Sequence, residues 1–298
     1  MSSSSPELVA NVSSDISISG SGVLSALKPL NVLIVGGSGF LGMNLMYHLL
    51  AHYGSMVHIS LFDLKKCNFP PSKEPPVDQV EMCIGDITNL QHILRVMEHI
   101  NIVFHCCHPS YNAKPSIYHS VYIQGTNNLL EACYLVDTVT QLIFISSVNT
   151  IFHGQDIMHA TEEECQHIKG NKHTQDLSSY YMYLAEQLIL SYKGVLRSKN
   201  KKKKCITCIL RPSICFGKYQ YSFLPKLLSH AKQGHVSHII GSGQNIVDFT
   251  YVENVCHAAQ LVIHNKKTDK QCYFITNGEP RLFWNFIAYI LSKKNYLR

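Results

Sequence analysis

The sequence predicts an α/β fold: a doubly wound, mostly parallel sheet followed by a small C-terminal region. Three observations predict it. Short apolar runs alternate with helical patterns along most of the chain, the order that crossover connections between parallel strands require. A glycine cluster stands between the first apolar run and the first helical stretch. The chain has 298 residues, 46% hydrophobic and only 15% charged. That is enough to bury a large core and too apolar for disorder throughout.

Residues 1–29 stand apart. Ser2 to Ser5 open a stretch rich in Ser and Gly that has too little apolar surface to offset its ordering entropy, so a disordered tail is expected. From Leu30 the texture changes. Val32-Leu-Ile-Val35 reads as a buried strand, and Leu41 to Tyr53 as a helix stopped by Gly54. Strands follow at Val57–Leu61 and Val80–Ile84, then a helix capped by Thr88 and reaching Glu98. Asn101–His105 is a fourth strand, Gly125–Val136 a helix, and Leu142–Ser146 a fifth strand. A helix from about Tyr180 to Leu196 and a sixth strand, Cys205–Leu210, complete a domain spanning 30–215. The remaining stretch, 216–298, carries a helix at Ser222–Gln233 and strand-like pieces at Ile239–Gly243 and Val247–Val252. A helix from Glu253 to Val262, a strand at Cys272–Ile275 and a helix at Phe283–Leu291 follow. Phe283, Phe286, Ile287 and Ile290 share one face of that last helix, which reads as core packing.

Composition excludes several classes. No apolar run reaches the roughly 18 residues a membrane-spanning helix needs. The 11 cysteines are scattered, odd in number and preceded by no secretory signal, which favours free thiols in a reducing, cytoplasmic setting. The net charge is +6, and Lys199 and Lys201 to Lys204 form a run that reads as a solvated loop, so no nucleic-acid partner is expected. His105-Cys-Cys-His108 has no second ligand pair at zinc spacing, and no metal is expected. Cys205 and Cys208 lie three apart on a strand and so face opposite sides.

The glycine cluster carries the chemistry. Gly36, Gly37, Ser38, Gly39, Phe40, Leu41 and Gly42 contain Gly-x-Gly-x-x-Gly directly between strand and helix. Such a loop turns tightly, lets the backbone approach a pyrophosphate, and offers helix N-terminal amides to it. Asp63 ends the second strand about 20 residues later, where a carboxylate bonds a ribose diol and repels a 2′-phosphate. NAD is therefore expected, with NADP left possible by Lys65 and Lys66 close behind. Asp86 and Ile87, just after the third strand, fall at the adenine end of such a cleft.

Taken together, these residues resemble an extended short-chain dehydrogenase/reductase, and more narrowly the 3β-hydroxysteroid dehydrogenase family. Within it the likeness is to the decarboxylating sterol-4α-carboxylate 3-dehydrogenases. The resemblance covers about residues 30–297 and rests on several motifs. They include Ile34 to Gly42, Gly85-Asp86, Val103-Phe-His105, Gly125 to Cys133, Ile145-Ser-Ser147, Leu210-Arg-Pro212, Val247 to Asn254 and Tyr273 to Pro280. It implies a Rossmann fold and oxidation of a sterol or steroid 3β-hydroxyl, with decarboxylation where a 4α-carboxylate is present. It places Ser147 at the family's catalytic hydroxyl and Pro212 and Ser213 beside the nicotinamide. It also implies a sterol or steroid as ligand, a second copy of the chain as partner, and peripheral contact with the endoplasmic reticulum membrane in a longer form. Relatives run on past this point, so 216–298 is expected to be an incomplete substrate region.

The family's acid/base is a Tyr with a Lys four residues on. Here the segment reads Ser178-Ser-Tyr-Tyr-Met-Tyr-Leu-Ala-Glu-Gln187. Without a gap, Ser178 takes the Tyr position and Met182 the Lys position. With a gap of about three residues, Tyr181 becomes the acid/base and the lysine is lost. Neither alignment supplies a lysine, and Tyr122 stands where the family usually has Asn. Two functions are expected to compete: an NAD-dependent 3β-hydroxysteroid dehydrogenase using Ser147 and Tyr181, or a nucleotide-binding relative with impaired turnover.

Overall fold

The computed structural model describes residues 29–165, 176–194, 204–221, 223–236, 238–239, 241–263 and 265–293. The strands are β1 (Leu30–Val35), β2 (Val57–Asp63), β3 (Val80–Ile84), β4 (Ile102–His105), β5 (Gln141–Ile145), β6 (Ile206–Pro212), β7 (Ile214–Phe216), β8 (Ile246–Tyr251), β9 (Gln271–Ile275) and β10 (Pro280–Leu282). The helices are α1 (Phe40–Tyr53), α2 (Leu90–Val96), α3 (Pro115–Tyr118), α4 (Thr126–Leu135), α5 (Glu162–Cys165), α6 (Leu177–Ser191), α7 (Phe223–Lys232), α8 (Val252–Ile263) and α9 (Phe283–Ser292). Seven strands form one sheet in the order β3-β2-β1-β4-β5-β6-β9, every neighbouring pair parallel. A second sheet, β10-β8-β7, is short and mixed.

Alternate residues of each central strand feed opposite layers, as the two-residue strand period demands. Leu33, Val103, Leu142, Phe144 and Ile209 pack on one side against Leu129 and Cys133 of α4 and Ala185 and Ile189 of α6. Val32, Ile34, Phe104, Ile143 and Leu210 pack on the other against Leu45 and Leu49 of α1 and Val255 and Ala259 of α8. The strands therefore read as continuous apolar runs because both faces are covered. Each such side chain contributes roughly 1.5–3 kcal/mol of burial. The strand order reverses at β1/β4, and the crevice beyond the C-terminal ends of these two strands is where this architecture binds ligands.

Several expected boundaries move. α2 is capped by Asn89, whose side chain accepts from the Gln91 amide at 3.0 Å, and not by Thr88; it ends at Val96 and not Glu98. Thr88 instead gives its amide to Asp86 Oδ1 at 2.8 Å. The helix expected to begin at Gly125 begins ten residues earlier. Pro115 opens α3, a π-helical segment spans His119–Gly125, and α4 continues from it. Proline suits a first helical turn, since its missing N–H would have no partner there. α6 starts at Leu177, not Tyr180, because Asp176 caps it. Its carboxylate accepts from the Ser179 amide at 3.0 Å and the Ser179 hydroxyl at 2.7 Å. It ends at Ser191, short of Leu196. No strand forms among the described residues of Ile239–Gly243, where Gly241 and Gly243 adopt φ of +78° and +74°. β7 and β10 were not anticipated. α8 packs beside α1, and β9 extends the main sheet by pairing with β6. The stretch 1–29, all but its last residue, and the lysine run before Lys204 lie outside the described residues. Among the described residues no helix is long and apolar enough to cross a membrane.

Candidate active site

The adenosine end of the crevice is made of backbone. β1 delivers the chain to Gly36, whose amide donates to the Phe62 carbonyl at 2.8 Å, and α1 starts behind Gly39. Gly36 has φ +83°, and a Cβ there would stand 2.7 Å from the Cys106 carbonyl oxygen. A Cβ on Gly42 would stand 2.5 Å from the Gly36 oxygen and 2.7 Å from the Gly37 Cα. No side chain caps α1 at Gly39, so the amides of its first turn, Phe40 to Gly42, face the crevice mouth as anion donors. Ser38 and Asp63 close this end. Asp63 Oδ2 accepts from the Ser38 amide at 3.0 Å, and the Ser38 hydroxyl donates to the Lys65 carbonyl at 2.8 Å. Asp86 folds back on Thr88, with Ile87 buried beside it. Cys107 sits between these acids: burial above all, then the charges of Asp63 and Asp86, push its thiol up to about 12. The cradle fits a dinucleotide: its glycines bring the loop backbone closer together than a Cβ would allow, and Asp63 at the end of β2 is bonded to the same loop.

The opposite end is made of side chains, and it departs from expectation. Ser147 caps a short turn after β5, its Oγ accepting from the Asn149 amide at 3.2 Å. Pro212 ends β6 and Ser213 follows it, two and three residues past Leu210, the partner of Ile145. Ser146 points the other way. Its hydroxyl donates to Glu186 at 2.6 Å, and Glu186, fully buried, holds Arg211 through two bonds of 2.9 and 2.8 Å. Thr150 also donates to Glu186, at 3.2 Å. This buried node ties α6 to β5 and β6 and fixes the helix rotation.

The helix is unbroken, so Ser178, Met182 and Glu186 share a face at four-residue spacing. Ser178 and Met182 are the residues that the gapless alignment sets at the family's Tyr and Lys positions. Tyr181 is turned about 100° away. Its ring stacks on Tyr118 at 6.5 Å and meets His119 and Tyr180 edge-on, and no bond among the described residues joins it to Ser147.

Sequence reasoning did not anticipate what fills the space. Tyr122, on the π segment, is fully buried. Its hydroxyl lies 3.2 Å from Ser178 Oγ and 3.1 Å from His108 Nδ1, and its ring stacks on Tyr118. Burial raises the Tyr122 phenol well above its ordinary range and lowers His108 to about 4. His105, fully buried, places Nε2 3.2 Å from the Thr126 hydroxyl. The two histidines of the His-Cys-Cys-His stretch thus serve different partners. The available signal was the chain's own departure at Tyr122, and its partner lies 56 residues away.

Comparison with known proteins agrees with this architecture. The chain is 35% identical over 269 residues to the human decarboxylating sterol-4-alpha-carboxylate 3-dehydrogenase, covering 88% of this chain and 66% of that protein. It is 31% identical over 279 residues to the Schizosaccharomyces pombe protein of the same description, covering 90% and 76%. The chain thus spans about two thirds to three quarters of the length of these relatives. Among solved structures, it superposes with TM-score 0.75 on an epimerase from Methanothermobacter thermautotrophicus at 20% identity, covering 92% of this chain and 80% of that one. A dTDP-glucose 4,6-dehydratase from Bacillus anthracis, solved with NAD, matches at TM-score 0.72 and 22% identity, covering 89% and 81%. At these identities the two structures share the fold. The family described as 3-beta hydroxysteroid dehydrogenase/isomerase matches residues 33–298, and the chain belongs to it.

Proposed function

We propose that this chain is a 3β-hydroxysteroid dehydrogenase-type oxidoreductase that binds NAD and a 3-oxygenated sterol, and that its turnover is weak. The observation that carries the binding half is the glycine cradle with Asp63. Gly36 and Gly42 tolerate no side chain, and the Asp63 carboxylate disfavours the 2′-phosphate of NADP. When bound, NAD supplies the hydride acceptor. Ser147, at the end of β5, orients the sterol 3-oxygen in this reading. The relatives' names point to a 4α-carboxysterol, whose carboxylate leaves as CO₂ once C3 is a ketone.

The observation behind weak turnover is the face of α6. On the gapless alignment Ser178 and Met182 fall at the acid/base and lysine positions, and in the structure Tyr181 stacks on Tyr118. A lysine beside a phenol lowers its pKa and lets it work near neutrality. Here the Tyr122 phenol, bonded to Ser178, is pushed up by burial, and no lysine or arginine among the described residues is bonded to it. General acid/base assistance is worth about 10²–10⁴-fold, and that is the deficit expected. The test is a pair of measurements on the whole chain. Fluorescence titration with NADH should saturate, and NAD reduction with cholestanol should be slow. Absence of NADH binding would overturn the reading, and so would turnover at ordinary rates of about 1–10³ s⁻¹.

A further inference from the structure

α1 does more than offer its first-turn amides. Tyr47 stands about two turns further along it, half-buried, and touches two segments that are far apart in the chain. The first is 64–73, which leaves β2 directly after Asp63. Both ends of this segment are tied down. The Ser38 hydroxyl donates to the Lys65 carbonyl at 2.8 Å, and the Tyr47 hydroxyl donates to the Lys73 carbonyl at 2.5 Å. Between the ties Cys67 is buried, and Phe69 packs on the α1 side of the core. The Lys65 amide donates to Asp63 Oδ1 at 3.4 Å, while Oδ2 takes the Ser38 amide at 3.0 Å. The Asp63 carboxylate is thus held by the segment on one oxygen and by the glycine loop on the other. Lys65 and Lys66, both exposed, ride on the same stretch.

The second segment locks Tyr47 itself. Its ring packs on that of Tyr219 at 5.3 Å. Tyr219 has φ +63°, a left-handed conformation that residues with a side chain rarely adopt. Beside it, the Asn44 amide, one turn back on α1, donates to the Lys218 carbonyl at 2.9 Å. Burial above all, then Tyr219, pushes the Tyr47 phenol up to about 12, so it keeps the hydrogen it gives to Lys73.

We propose that Tyr47 is a positioning residue that sets the choice between NAD and NADP, by clasping segment 64–73 against α1. With the clasp closed, Asp63 stays fixed between two amides, and its charge opposes a 2′-phosphate. With the clasp released, the segment moves outward and Lys65 and Lys66 are free to meet that phosphate. The inference rests on the reading that the glycine cradle and Asp63 hold the adenosine half of a dinucleotide.

The test is fluorescence titration of the whole chain with NADH and with NADPH. The unmodified chain should bind NADH tighter by at least about tenfold, since like charges oppose NADPH. Tyr47→Phe keeps the ring on Tyr219 and removes only the bond to Lys73. NADH should then bind about fivefold more weakly, the worth of one hydrogen bond, and NADPH no more weakly than before. Ser38→Ala unties the other end of the segment and should lower the NADH preference as well. Tyr219→Gly suits the backbone at φ +63°, removes the ring that holds Tyr47, and should lower it by less. A merely structural role for Tyr47 would weaken both nucleotides alike. Equal weakening of the two in Tyr47→Phe, or an unchanged ratio, overturns the inference. If the unmodified chain binds neither nucleotide or prefers NADPH, the reading of Asp63 falls, and the inference with it.

Discussion

The two ends of the cleft are built from different materials. At the adenosine end the ligand-facing atoms are main-chain amides, and the glycines that expose them are also demanded by the packing of α1 on β1. A Cβ on Gly42 would strike the Gly36 carbonyl whether or not a nucleotide ever bound. At the end that the proposed reading gives to the nicotinamide, the candidate atoms are side chains, and the node of Glu186, Arg211, Ser146 and Thr150 holds α6 one turn past Met182. A site made of backbone is locked by the fold; a site made of side chains can be rebuilt without disturbing it.

The largest effect should come from reversing that rebuilding. The triple variant Tyr122→Asn, Ser178→Tyr, Met182→Lys should raise kcat for NAD reduction with a 3β-hydroxysterol by about 10²–10⁴-fold. No gain would mean that the two ends differ by more than these three side chains. Next comes the anchor. Glu186→Gln leaves Arg211 buried without its counter-charge, and unfolding by urea should show a loss of about 3–5 kcal/mol. At the backbone end, Gly36→Ala places a side chain at φ +83° against the Cys106 carbonyl. NADH affinity should fall about 100-fold, a shift of about 2.7 kcal/mol, while the sheet stays folded by circular dichroism.

Acid should reveal the rebuilt end as well. Burial holds His108 at about 4, below its unfolded value of about 6.5. The unfolded chain therefore binds more protons in this window, and stability falls as pH drops from about 6.5 to 4. Thermal melts across that range should show a shallower slope in His108→Asn, which cannot titrate. The smallest effect belongs to a feature remote from both ends: Asn89→Ala removes the cap of α2 and should cost about 1 kcal/mol in a denaturant titration.

What could be read from the amino-acid order follows the same division. Strand alternation, the glycine spacing and Asp63 are local patterns, and each maps to the element expected. The nicotinamide end depends on residues far apart in the chain. Tyr122 meets Ser178 across 56 positions, and Glu186 meets Arg211 across 25. The rotation of α6 is not a local property either: the bond from Ser146 to Glu186, 40 positions away, helps to set it. The return of β9 to the main sheet was hidden for a related reason, since an edge strand gives no sign of which neighbour it will join.

The π segment at His119–Gly125 sets the helical phase of Tyr122. Such a segment carries one residue more than an α-helical turn would, so it offsets the phase of everything on its far side. Shortening it by one residue, at Ile123, would reset Tyr122 by about 100° around the helix axis and swing the phenol off the line to Ser178. Substituting the ring and re-phasing the helix are thus separate ways to empty the same space, and only the second keeps His108, Tyr122 and Ser178 all unsubstituted.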